Sequence, residues 1–256
     1  MDARTVALGA FASLVATGFA LVTADRWHRR RLTHHGAWTI AMLLFAVGSF
    51  ALWWAASTGW SGGVFRVFFT AGAVLNVSWL ALGSIALLFG DRIAFPLARI
   101  VAMLSAFAIG VMVVAPSKRE FVASEFPQAR NHFGALPRVL AGVGSGVPAL
   151  VILVGAVWSI VRLLRGRFVV DRESNRWPLV STKRLVLSNL LVALGTLVLS
   201  ASGSLAGRLG EEQAFAVTLS VGVVILFVGF MVPSVQPGKN SSAQSATQHL
   251  ASAAGR

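Results

Sequence analysis

The chain has no cysteine and no tyrosine, and only 12% of its 256 residues are charged. Without cysteine there is no disulfide framework, no thiolate metal site and no cysteine nucleophile. A soluble domain carries roughly a quarter charged residues, so the scarcity of charge excludes an ordinary globular protein. Acidic residues are the rarest charges. The nine carboxylates are Asp2, Asp25, Asp91, Glu120, Glu125, Asp171, Glu173, Glu211 and Glu212, and all lie outside or at the ends of the apolar runs. Lysine occurs three times, at 118, 183 and 239, never deep in a run, which excludes a retinal Schiff base. No histidine lies within a predicted span, which excludes membrane-embedded bis-histidine haem ligation. There is no HExxH, GxSxG, P-loop or dinucleotide fingerprint, so no motif points to an enzyme, and no cofactor is expected.

What the chain has is apolar length. Hydrophobic residues make up 56% of it. A bilayer core about 30 Å thick needs about 20 apolar residues of helix. Seven runs qualify, at about 5–23, 37–57, 65–89, 97–115, 137–163, 185–205 and 214–232. They are continuously apolar, which fits helices and not the alternating strands of a barrel. The predicted fold is therefore all-α, a polytopic bundle of seven transmembrane helices over 1–232. The stretch 233–256 is read as a disordered tail from its Ser, Ala, Gln and Gly content.

The net charge of +13 would suggest nucleic acid in a soluble protein, but here the cations sit in short loops between apolar runs. The positive-inside rule then sets orientation. Fifteen Lys and Arg fall in the odd-numbered loops and the tail, seven on the other side. This predicts an outside N-terminus, a cytoplasmic C-terminus, and a multi-pass protein of the bacterial inner (plasma) membrane. The first run is followed, not preceded, by its basic cluster, the reverse of a secretory signal, and is read as a span. The expected partners are membrane lipids, with anionic head groups at the basic inner loops, and a second copy or a membrane protein. The outer connection 116–136 carries Phe121, Phe126 and Phe133. It is read as an interfacial loop with aromatic anchors, the alternative being a fold over the bundle mouth.

Candidate ligand-binding or helix-packing residues come from polar or backbone-breaking positions inside spans. Asn76 lies near the middle of the third run and needs a hydrogen-bond partner. Gly72, Asn76, Trp79 and Gly83 are spaced four, three and four apart, one helical face. In the fifth run Pro148 frees the carbonyl of Gly144 and kinks the helix, and Ser145 is placed to satisfy part of the opening. Gly142 and Gly146 form a small-xxx-small face. Asn189 and a row of hydroxyls mark the sixth run. Each feature fits a midplane ligand site or plain packing. Glu211 and Glu212 form a carboxylate pair at the outer face, fitting either helix-dipole complementarity or cation binding. His28, His34 and His35 lack the partners of a metal set, and no metal is assigned.

The segments FRVFFTAGAVLNVSWLALG and GRLGEEQAFAVTLSVGVVILFVGF resemble a group of seven-span actinobacterial integral membrane proteins of unknown function. The resemblance implies a bacterial inner membrane and carries no residue role. Two functions follow from the residues. The first is a transporter, permease or channel for a small neutral or lipophilic solute, since no intramembrane charge is available to couple an ion. The second is a non-transporting sensor or scaffold subunit that acts through a partner protein.

The orientation is testable. A fluorescent protein fused after Arg256 should fluoresce in the cytoplasm, and an alkaline phosphatase fused there should be inactive. Active phosphatase at that position would invert the topology.

Overall fold

A computed structural model describes residues 3–165, 187–188, 190–200 and 212–232. These residues are helices joined by short turns and one longer loop, with no strand among them. The elements are α1 (Ala3–Arg30), α2 (Thr33–Thr58), α3 (Gly62–Phe89), α4 (Asp91–Val114), α5 (Ala129–His132), α6 (Ala135–Leu164), α7 (Leu190–Ser200) and α8 (Glu212–Met231). Six of them, α1, α2, α3, α4, α6 and α8, are long and apolar enough to cross a membrane. The chain is thus an all-α protein with the character of an integral membrane protein. The seventh predicted run appears as α7, eleven residues long. Its remaining positions, the inner connection and the tail 233–256 lie outside the described residues.

The long helices overrun the predicted spans. The run 5–23 becomes 28 residues and 37–57 becomes 26. At 1.5 Å per residue a 28-residue helix is about 42 Å long, more than the hydrocarbon core needs. The excess consumes the predicted first loop. Only Arg31 and Leu32 separate α1 from α2, with Arg31 in the left-handed conformation at φ 52°.

Neighbours in sequence run antiparallel. Close packing comes from small residues, as expected where lipid gives helices no hydrophobic reason to associate. Ala12, Ala16 and Ala20, four apart on α1, are fully buried. A Cβ on Gly9 would lie 3.1 Å from the backbone of Trp53 on α2. Serine hydroxyls donate across helix pairs: Ser13 to Ala46 O at 3.3 Å, Ser220 to Leu8 O at 3.2 Å and Ser188 to Gly229 O at 2.7 Å. Helix α2 is central, with 61% of its membrane-spanning window buried, against 11% for α4 and 17% for α6. Helix α4 therefore turns Met103, Val113 and Val114 outward, each over 70% exposed. A soluble monomer does not leave such a continuous apolar face in water, whereas lipid accepts it.

The two ends of the bundle differ. At one end the 115–134 connection folds back over the helices, so the expectation of a purely interfacial loop is corrected in favour of a closure over the mouth. Phe121, Phe126 and Phe133 pack with Trp60, Phe65, Phe68, Phe69 and Phe215. Ring centroids lie 5.2 Å apart for Trp60 and Phe126, and 5.4 Å for Phe65 and Phe133. Backbone bonds fasten the loop: Trp60 N–H donates to Ala123 O at 3.0 Å and Lys118 N–H to His132 O at 2.9 Å. Arg66, expected to snorkel out of its helix, instead donates to Met112 O, to Ala115 O at 2.7 Å and to Ser117 Oγ at 3.2 Å. Its guanidinium also lies 5.4 Å from the centre of the Phe133 ring. These bonds satisfy the terminal carbonyls of α4, which have no partner in their own helix. The other end carries Arg26, Arg29, Arg30, Arg31, Arg92, Arg162 and Arg165.

Replacing Arg66 with Gln removes charge-assisted bonds, each worth about 1.5–3 kcal/mol. R66Q should lower the midpoint of thermal unfolding in detergent and speed proteolytic cleavage within 116–134. Cleavage at the wild-type rate would show that the aromatic contacts alone hold the loop.

Candidate functional site

The middle of α3 is not α-helical. Phe69–Leu75 forms a π-helix, and Asn76 N–H donates to Ala71 O, five residues back instead of four. A widened turn holds one extra residue and leaves part of the backbone ladder unmatched. Two glycines from neighbouring helices meet this stretch. On α2, a Cβ at Gly48 would lie 3.3 Å from the nitrogen of Gly72. On α6, a Cβ at Gly144 would lie 2.6 Å from Val74 O, a distance real side chains do not tolerate. The backbone of α6 therefore rests directly on the π turn.

The same place carries the proline break. Pro148 has no N–H for the carbonyl of Gly144, and the predicted freed carbonyl finds a partner. Ser78 Oγ on α3 donates to Gly144 O at 2.8 Å. Ser145, expected to serve this opening, donates to Ala141 O of its own helix at 2.6 Å. Helix α6 continues through Pro148. The small-xxx-small face of Gly142 and Gly146 makes no close contact; nothing lies within 4 Å of a Cβ built at either. Gly144, between them in sequence and a turn's rotation away, makes the contact instead.

The predicted face of α3 divides. Gly72 meets α2 at Gly48, and Gly83 meets the Trp38 indole, which fills the space a Cβ would need. Trp79 turns its N–H to α4, donating to Ser105 Oγ at 3.2 Å, and Ser105 passes its own proton to Val101 O at 2.7 Å. Asn76 is 5% exposed, fourteen residues after Gly62 and thirteen before Phe89. Its Oδ1 has no hydrogen-bond partner in the protein. A buried unsatisfied oxygen costs about 1–3 kcal/mol. The arrangement thus presents one uncharged acceptor near the centre of the longest spans, beside a helix irregularity.

Asn189 and Glu211 lie outside the described residues. Glu212 opens α8, at the aromatic end of the bundle. His34 and His35 stack at 4.2 Å between centroids in the first turns of α2, with Trp38 5.2 Å from His34. Among the described residues no three His or acidic side chains are grouped to hold a metal ion. Sequence reasoning missed Ser78 and Ser105, because a lone hydroxyl in a span usually bonds to its own helix. It also missed the π turn, which has no compositional mark. A polar cavity of about 300 Å³ under the closing loop, lined by Arg119, Glu120, Glu125, Gln128, Asn131 and His132, was equally hidden, since one loop folding back on itself creates it. The His132 ring stacks on Phe121 at 4.3 Å and its Nδ1 lies 3.0 Å from Gln128 O.

No protein-family model matches the chain, and neither the curated proteins nor the solved structures compared with it give a match.

Gly144→Ala should destabilise by about 1–3 kcal/mol, the usual cost of overpacking, whereas Gly142→Ala should be near neutral. The comparison of unfolding midpoints for the two variants decides the point. Equal effects would mean that α6 does not rest on Val74.

Proposed function

We propose that this protein binds a small neutral or lipophilic solute at Asn76 and lets it cross the membrane. The observation that carries this reading is the unpartnered, buried Oδ1 of Asn76 beside the π turn. Packing alone gains nothing from an unsatisfied acceptor. A solute with a single N–H or O–H would satisfy it. The surroundings are uncharged, so the favoured cargo is a neutral molecule and passage is facilitated instead of ion-coupled. A π turn at a binding position also fits the tendency of such irregularities to occur at functional sites. In this reading the chain sits in the bacterial inner membrane with its N-terminus outside, spans it seven times with α7 as the sixth crossing, and carries out no covalent chemistry.

A second reading, a non-transporting sensor or scaffold, draws on α6. Gly142 and Gly146 are exposed among outward-facing Val139, Val143 and Val147. That face allows close lateral approach of another membrane helix.

The test is flux into liposomes, followed by light scattering with glycerol, urea and 1-octanol as probes. Asn76→Leu removes the acceptor at similar volume. It should reduce flux of a transported probe at least about tenfold, the factor that ~1.4 kcal/mol represents, while the unfolding midpoint holds or rises. No flux of any probe through wild-type protein, with a stoichiometric partner retained on gentle extraction, would favour the scaffold. A lowered midpoint in N76L would show that Asn76 serves packing.

A further inference from the structure

The turn between α1 and α2 concentrates positive charge that the protein does not neutralise. Within 25–35 stand Arg26, Arg29, Arg30 and Arg31 with His28, His34 and His35, against a single carboxylate, Asp25. That carboxylate is taken by Arg29, whose Nε lies 2.8 and 3.0 Å from its two oxygens. Helix α2 starts in the same place. Its N-cap is Leu32, with no side-chain cap, and its first turn has no acidic residue. The positive end of a 26-residue helix therefore adds to the arginines instead of being compensated. Half-buried Arg26 leans over the end of α8, with only the Met231 sulfur 3.7 Å from Nη2.

The backbone is held in this arrangement at a cost. Arg31 has a Cβ yet occupies the left-handed region at φ 52°, a conformation that favours glycine. Its N–H closes α1 on Trp27 O at 2.7 Å, and its guanidinium lies 6.0 Å from the centre of the Trp27 ring. Trp27 itself is fixed by α2, since its indole lies 3.0 Å from where a Cβ of Gly36 would be. A glycine at 31 would relieve the strain but remove a cation from the turn.

We propose that this turn binds the phosphate of an anionic glycerophospholipid through Arg26, Arg30, Arg31 and the first turn of α2. A phosphate oxygen accepts well from guanidinium groups and from the free N–H groups of a helix start. The lipid, rather than a soluble phosphate, is the occupant because the apolar surface continues from the site. Leu14 and Leu21, two turns apart on α1, are 72% and 66% exposed, and give acyl chains a face to lie against. Partly exposed Trp27 stands at the turn, where indoles favour the head-group level.

The experiment is native mass spectrometry of the full chain extracted gently and offered phosphatidylglycerol or phosphatidylcholine in equal amount. Wild-type protein should retain phosphatidylglycerol selectively. R26Q/R30Q/R31Q should lose that selectivity, while R92Q/R99Q/R165Q, which removes the same charge elsewhere, should keep it. R31G provides a variant whose backbone is relieved; it should fold at least as well and retain phosphatidylglycerol about fivefold less, the factor expected for one basic residue near a membrane surface. Equal loss in the two triple variants would reduce the effect to diffuse charge and overturn the site. Unchanged retention in R31G would overturn it too. Displacement of the lipid by inorganic phosphate at matched concentration would assign the turn to a soluble phosphate instead.

Discussion

A helix in hydrocarbon has no water to turn to when its own hydrogen-bond ladder fails. The crossing of α3 and α6 is organised by that constraint. Each helix is irregular there, α3 through the π turn at Phe69–Leu75 and α6 through Pro148. The irregularities are set against each other. The carbonyl that Pro148 leaves unmatched accepts from Ser78, and Gly144, which carries that carbonyl, has no side chain to hold the helices apart. Serine donors at Ser13, Ser188 and Ser220 repeat the solution elsewhere: short, polar, and opposite a small residue or a bare carbonyl. Together they tie the bundle without placing a charge in its middle.

The ends of the bundle solve a different problem, that of meeting water and head groups. One end is closed by aromatic rings and by Arg66, which spends its charge on the terminal carbonyls of α4. The other is left strongly basic, and its rings, Trp27, His34, His35 and Trp38, stand close to the arginines. Between these ends Asn76 is the polar group that the packing does not use. The proposed path for a neutral solute and the proposed lipid site are therefore separate features, one at mid-depth and one at the basic rim.

Much of the fold was legible because long apolar runs have few alternatives. Six of the seven runs became long helices in the described residues. Their ends were less legible: a helix that continues through Arg26–Arg30 violates no local rule, and only the left-handed Arg31 stops it. The freed carbonyl of Gly144 followed from the covalent structure of proline, so it was predictable. Its partner was not, since Ser145 is adjacent in sequence and Ser78 is adjacent only in space. The same reason hid the Trp79–Ser105 bond. The two exposed glycines, 142 and 146, fit a packing pattern that α6 does not use within this chain. The loop with Phe121, Phe126 and Phe133 carried aromatic residues suited both to a membrane surface and to a core. Which of the two it joins depends on Trp60, Phe65 and Phe215, and no pattern along the chain relates those positions.

The π turn makes α3 a coupling between two registers. Six rungs of a regular helix would turn everything beyond them by a fixed angle; one surplus residue changes that angle by about 100°, the rotation of a single α-helical residue. The half of α3 toward Phe65 is keyed to the closing loop, and the half toward Gly83 is keyed to the Trp38 ring. Both keys fit at once only because the surplus residue lies between them. If that residue migrated along the helix, Ser78, Trp79 and Gly83 could keep their neighbours while Asn76 swung to another side of the bundle. A peristaltic shift of one residue would then move a polar group across the interior without any helix sliding on another.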